Sequence, residues 1–184
     1  PNADLYEFYY PALHYAFGRV AQGEAPLWNP QTLCGAPLHA DHRIGLWQPL
    51  NLVFAFLPTD RAMAVHAFAC LALMGGGFAL FLRALGVSYS AAVFGGIAFA
   101  FCGASAGAMS RPPTAATLAW APLALWALTE YHTTFRVAAA LLAGLFAGLL
   151  VLGGSFAAAA ALGLLFAGYA VCALVFPFGY DPPA

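Results

Sequence analysis

The chain has 184 residues, 63% of them hydrophobic and only 7% charged, with a net charge of −1, whereas an average soluble domain is about a quarter charged. That composition excludes an ordinary soluble fold. A mean hydropathy of +0.81, with apolar runs near the roughly 20 residues a helix needs to cross a bilayer, predicts an all-α, polytopic transmembrane protein with the lipid bilayer as its first partner.

Near-neutral charge gives no basis for nucleic acid as a partner, nor for a polybasic surface patch. All six basic residues are arginines, which keep their charge at any accessible pH and grip carboxylates or phosphates in a fork. Polarity gathers at the front: residues 4–51 hold four of the seven acids and three of the five histidines. Residues 1–60 therefore read as a polar head with interfacial helices, and residues 61–184 as a transmembrane helical region.

Within the head, Leu5, Phe8, Tyr9, Leu13, Ala16, Phe17 and Val20 recur at the three-and-four spacing of an amphipathic helix. Pro11 removes a backbone donor, so the spacing predicts either a kinked helix or a start near Pro11. Gly23 suits its C-terminal cap. Pro26, Pro30, Gly35, Pro37, Gly45 and Pro49 then forbid a long helix and predict an ordered loop. In that loop Leu27-Trp28-Asn29-Pro30 is echoed by Leu46-Trp47-Gln48-Pro49, and both indoles are expected at the headgroup level. The apolar stretch 50–57 is too short to cross and is expected to dip into the interface before Pro58.

Five spans are predicted beyond the head, at 62–82, 91–109, 112–129, 137–152 and 156–178. Gly75-Gly76-Gly77 in the first favours close helix approach. Pro112 and Pro113 suit a first helical turn, and Pro122 predicts a kink. Gly153-Gly154-Ser155 makes the joint between the last two spans a hairpin or a break in one helix. If all five spans cross, Arg61 and Arg111 on the head's side balance Arg83 and Arg136 on the other, so the positive-inside rule ties on short loops. Counting Arg19 and Arg43 would favour a cytoplasmic head, although an ordered functional loop keeps arginines for its own reasons. Cys34, Cys70, Cys102 and Cys172 show no metal-ligand spacing and read as buried free thiols.

Asp4 and Glu7 share a helix face and suit a divalent metal ion or a general base. On spacing alone the simpler reading is two acids favoured by a helix start. Asp41, His42 and Arg43, with His39 just before, suit a phosphate held by Arg43 beside a proton donor, or a solvated loop. The pattern lacks the HExxH spacing of zinc sites. His66 lies inside the first span, where an ionisable residue is functional by default; it suits a hydrogen bond to a neighbouring helix or the ligation of a cofactor such as haem. Glu130 and His132 read as an exposed helix end.

Taken together, several fragments resemble the bacterial YfhO-like membrane proteins, which are similar in architecture to the GT-C glycosyltransferases. They are Asp4-Leu5 with Tyr9, Tyr10 and Pro11; Gly23 with Pro26-Leu27-Trp28-Asn29-Pro30; Gly35, Pro37-Leu38, Ala40-Asp41 and Gly45; Pro49-Leu50-Asn51; Leu82-Arg83 with Leu85-Gly86; Ala91-Ala92 with Gly95-Gly96; and Trp120-Ala121-Pro122-Leu123. The resemblance implies a bacterial inner (cytoplasmic) membrane protein whose residues 1–60 form the first extracytoplasmic loop, with a further helix ahead of Asp4 and more beyond Ala184. It implies transfer of a sugar from a polyprenyl-phosphate donor, with Asp4 as base or as contact to a metal and phosphate. The chain departs from the pattern at His42-Arg43, where Pro-Gln is expected, and at Gly154-Ser155-Phe156, where a Gly-His-Pro-Gln-like turn is expected. Those departures leave an alternative: a catalytically inactive structural subunit associated with other membrane subunits.

Overall fold

Asp60 in its first turn and Arg83 in its last complement the dipole of the longest helix and bracket the apolar run between them. This helix, α3 (Thr59–Ala84), spans 26 residues in the computed structural model, which describes residues 4–30, 32 and 34–175. The chain is mostly helical, and the other long helices are α4 (Tyr89–Ala100), α6 (Pro112–Thr134), α7 (Val137–Leu152) and α8 (Phe156–Val175).

Of these, α6 is the hub. Pro112 and Pro113 fill its first turn, where a backbone N–H would lack a partner anyway. It packs most extensively on α3 and α7, and also touches α5 (Gly103–Ala108) and α8. Alanines at 115, 116, 119, 121, 124 and 127 are buried and let its neighbours close in. Its buried threonines are satisfied: Thr129 Oγ1 donates to the Leu125 carbonyl at 2.8 Å and meets the Tyr169 hydroxyl of α8 at 2.7 Å. Helix α6 continues through Pro122 as one element.

The glycine triplet of α3 faces two neighbours. A Cβ at Gly75 would lie 3.2 Å from the Gly96 carbonyl of α4, and one at Gly77 3.0–3.2 Å from Pro122 and Leu123 of α6, whereas Gly76 faces open space. Phe78 then stacks on Phe99 at 4.5 Å and fastens α4.

The span predicted at 91–109 is broken. Helix α4 stops at Ala100, Cys102 is extended, and α5 follows. The Ser105 hydroxyl donates to the Phe99 carbonyl at 2.8 Å, satisfying an acceptor that the break exposes. At 1.5 Å per residue the 12 residues of α4 reach about 18 Å, short of the roughly 30 Å hydrocarbon core. Among the described residues two helices are long and apolar enough to cross a membrane, α3 and the 156–173 stretch of α8, while α4 and α7 are apolar but shorter. The helices thus begin close to the five predicted spans, and among the described residues two of them meet the length and hydropathy that crossing requires. Residues 176–178 of the fifth predicted span lie outside the described residues.

The head opens with a π-helical turn over Leu5–Tyr9 that runs into α1 (Tyr10–Ala21). Pro11 sits in the first turn of α1, and the Tyr10 N–H reaches back to the Leu5 carbonyl in the wider π register. Both expectations at Pro11 are met in part: a helix starts there, and a differently wound turn precedes it. Gly23, at φ 78°, donates to the Val20 carbonyl and ends the helix as predicted. Leu13, Ala16 and Phe17 face inward and form a core with Leu38, Ile44, Phe54 and Ala62.

The loop contains an antiparallel pair, β1 (Trp28–Asn29) with β2 (Ala36–Pro37), Trp28 opposite Pro37. The Trp28 indole lies directly on Gly35, where a Cβ would be 2.6 Å from the ring. Two 3₁₀ turns follow, His42–Ile44 and Pro49–Leu52, the second leading into the short α2 (Val53–Phe56). Stretch 50–57 is thus a short helical segment with Phe54 buried and Phe56 exposed. The two Leu-Trp-Asn/Gln-Pro copies share one logic: each tryptophan is exposed and the amide after it is buried. Asn29 Nδ2 bonds Thr32, and Gln48 Nε2 bonds the Leu149 carbonyl of α7. Among the cysteines only Cys70 is buried; Cys102 is half-buried, and Cys34 and Cys172 are exposed, so the expectation of four buried thiols is corrected.

Candidate functional site: a charged rim on the head

The head meets the helices at one end of the bundle. Tyr10 hydrogen-bonds Asp60, and His14 Nδ1 meets Thr59 Oγ1 at 2.8 Å, so α1 is pinned to the start of α3. The 42–48 turn docks on the α7–α8 joint. Gly154 presses against the His42 carbonyl so closely that a Cβ has no room, and Gly153 sits on Thr117 of α6 in the same way. The His42 ring stacks on Phe156 at 4.2 Å, and the Ser155 N–H donates to Thr117 Oγ1 at 3.3 Å. The joint is a hairpin, and it is also the seat of the head.

On this seat the first turns of the head carry a charged rim. Asp4 Oδ2 pairs with Arg111 Nη2 at 3.3 Å, both side chains more than 60% exposed. Arg111 is the residue just ahead of α6. Arg43 forks onto Asp41, Nε to Oδ1 at 3.0 Å and Nη2 to Oδ2 at 2.8 Å, and its guanidinium lies 4.3 Å over the Phe8 ring. The Arg43 backbone N–H also donates to Asp41 Oδ1, so Asp41 both caps the 3₁₀ turn and holds the side chain within it.

The electrostatics follow. Partial burial pushes the Asp41 carboxyl up, but the side-chain and backbone hydrogen bonds from Arg43 outweigh it and hold the group below the usual carboxylate range. The Asp41 hydrogen bond raises Arg43 in turn. Burial raises the Tyr9 hydroxyl, against the opposing pull of Arg111 and Arg43. Tyr9 therefore lies within the electrostatic field of both guanidinium groups.

The structure thus brings Asp4, Asp41 and Arg43 onto one rim. Glu7 is exposed near Asp4 and has no ion pair among the described residues. His42 is spent on packing against Phe156, and His39 stands edge-on to Trp47 at 5.6 Å. His66, 2% exposed, packs against Phe54 at 5.7 Å and Cys70 Sγ at 3.8 Å, beneath the head core. Glu130 and His132 are half-buried rather than exposed, and His132 Nε2 is buried without a partner among the described residues.

Arg111 and Tyr9 are the rim residues that sequence reading did not assign a role. Arg111 carries one signal in the sequence, a lone arginine before a double proline. As for a divalent metal ion, such ions favour a shell of about six oxygens. No three His, Cys, Asp or Glu side chains converge among the described residues, and the partner of Asp4 is a guanidinium. Among the described residues the group placed beside Asp4 is an arginine.

By fold and site, the chain is a mostly helical protein with two helices long and apolar enough to cross a membrane, carrying an ordered head with a charged rim. Comparison with protein-family models, with curated proteins and with solved structures finds no match.

Proposed function

We propose that the chain is part of a GT-C-like glycosyltransferase of the bacterial inner membrane, with five membrane-embedded segments and an extracytoplasmic head. The observation that carries this reading is the convergence of Asp4, Tyr9, Asp41, Arg43 and Arg111 at the end of the bundle where the head sits. Large apolar side chains turned outward, including Phe68, Phe94, Leu141 and Leu164, support a lipid setting for the helices. Helices α4 and α5 together form the second segment, crossing as a broken unit whose irregular backbone is sheltered by α6.

In this reading a polyprenyl-phosphate sugar lies with its phosphate at the rim. The acceptor hydroxyl oxygen attacks the anomeric carbon as the bond from that carbon to the phosphate oxygen breaks. The hydroxyl proton passes to Asp4, and the leaving polyprenyl phosphate departs with the electron pair, its charge offset by arginine. The test is Asp4→Asn in the full-length protein, with sugar transfer from a polyprenyl-phosphate donor as the readout. A loss of about a hundredfold or more is expected for a removed general base; unchanged turnover overturns the role of Asp4.

One observation favours the second reading, a catalytically inactive subunit of a larger membrane complex. Asp4 and Asp41, the two carboxylates held in ion pairs on the rim, already have intramolecular cations, as packing groups do. Stoichiometric purification with other membrane subunits, together with transfer activity unaffected by Asp4→Asn, supports that reading over the first.

A further inference from the structure

The rim holds two arginines in different states. Arg43 is fixed: two of its nitrogens fork onto Asp41, its backbone N–H binds the same carboxylate, and its face lies on Phe8. Releasing it means breaking a charge-assisted bidentate pair, the stronger kind of ion pair, on a carboxylate that the backbone cap already holds in place. Arg111 is loosely held. One nitrogen reaches one Asp4 oxygen at 3.3 Å, and the two side chains are 61% and 63% exposed, the kind of pair that is screened and weak in water.

We infer that Arg111 receives an anionic phosphate ester at this rim by exchanging Asp4 for it, so that binding the anion and freeing the Asp4 carboxylate are one event. Arg43 then serves as a positioning residue, holding the 41–44 turn and the Phe8 face in place. The inference rests on the reading of the rim as a phosphate site and adds to it which cation meets the phosphate. It also explains how a carboxylate that is paired in the free protein becomes available as a base: before the phosphate arrives Asp4 is neutralised, and once Arg111 has turned to the phosphate, Asp4 faces the acceptor unpaired. No net charge is gained or lost at Arg111 itself, because one anionic partner replaces another.

The exchange has a signature that a simple phosphate contact lacks. Removing the competitor, Asp4, tightens anion binding even as it removes the base. The experiment uses the full-length protein in detergent, titrated with polyprenyl monophosphate and read by native mass spectrometry, with inorganic phosphate as a second arm. The expected order is Asp4→Asn tighter than wild type by about two- to fivefold, the fold-change equivalent of an exposed ion pair. Arg111→Gln is weaker by about tenfold or more, as for a lost charged hydrogen bond, and the double variant matches Arg111→Gln. Arg111→Lys falls between, since it keeps the charge without the fork. With Arg111 this exposed, the variants are expected to unfold thermally like wild type, which separates lost binding from lost folding.

The same order with inorganic phosphate, and no preference for the lipid, supports the exchange and assigns the ligand as a soluble phosphate. Wild-type binding in Arg111→Gln, weaker binding in Asp4→Asn, or no phosphate binding by the wild type in either arm overturns it. The expected binding order without any sugar transfer leaves the exchange standing and removes the transferase reading. Transfer at the wild-type rate by Arg111→Gln does the reverse.

Discussion

The seat of the head on the α7–α8 joint is open to a sharp test, because three glycines within seven residues face very different surroundings. At Gly148 an added Cβ meets nothing within 4 Å, so Gly148→Ala gains helix propensity of about 0.5–1 kcal/mol. At Gly153 the Cβ would lie 2.6 Å from Thr117 N and 2.7 Å from Thr117 Cα. Both are backbone atoms of a packed helix and cannot swing aside, so overpacking costs about 1–3 kcal/mol. At Gly154 the new methyl overlaps the His42 carbonyl, and φ is 91°. There the overlap is joined by a left-handed backbone cost, for about 2–5 kcal/mol together. Thermal unfolding of the full chain in nanodiscs should rank the variants 148 above wild type, then 153, then 154. Limited proteolysis should in addition find the 38–48 loop cut faster in Gly154→Ala, because its clash is with the head itself. If the variants at 153 and 154 prove as stable and as protease-resistant as the one at 148, the head does not dock on this joint.

In the glycine triplet of α3, Gly76→Ala should stabilise by about 0.5–1 kcal/mol, while Gly77→Ala, facing Leu123 N at 3.2 Å, should destabilise; equal unfolding temperatures refute the two-sided packing. Asp41 has a folded pKa below its unfolded value, so its stabilisation is present above about pH 4 and is lost as pH falls through the lower folded value. Loosening of the head below pH 4, followed by tryptophan fluorescence, should flatten in Asp41→Asn. For Tyr10 the sign is opposite: its hydrogen bond to Asp60 raises its pKa, so that contribution is present below about pH 10 and fades as pH climbs through the folded value. Tyr10→Phe should erase this alkaline dependence of stability and leave the neutral fold intact.

What sequence could reveal of this molecule was what is encoded locally. The inward face of α1 follows from the spacing of Leu13, Ala16 and Phe17, and its end from Gly23, because both depend on residues a turn or two apart. The proline-rich loop announced itself in the same way. The break after Ala100 was hidden because averaged hydropathy runs smoothly through Gly and Ala, while the deciding contact is one hydroxyl, Ser105, on one carbonyl, Phe99. Gly153 and Gly154 were legible as a joint but not as a seat, since the groups that fill the space above them, Thr117 and the His42 carbonyl, come from distant parts of the chain. Asp4 stood out as a carboxylate at the start of a helix. Its partner Arg111 did not, because nothing in the spacing of either residue refers to the other.

Helix α6, which Arg111 precedes, owes its composition to its neighbours. Threonine and proline in a membrane helix are accommodated best where neighbouring helices pack on them, and this one carries Thr117 against Gly153 and Ser155, Pro122 against Gly77, and Thr129 against Tyr169. Each polar or small position meets a different neighbouring element, so α6 is enclosed on most sides and its moderate hydropathy follows from enclosure. Arg111 is fixed to the start of that helix, and among the described residues its side chain is held by one ion pair, to Asp4. The rim therefore takes its geometry from two elements: Arg43 is placed by the 3₁₀ turn that rests on the α7–α8 joint, itself seated on Thr117 of α6, and Arg111 by the start of α6. A shift of α6 against the head would part Asp4 from Arg111 while leaving the Asp41–Arg43 fork intact. That asymmetry leaves Arg111 able to part from Asp4 while the fork within the 41–43 turn stays in place.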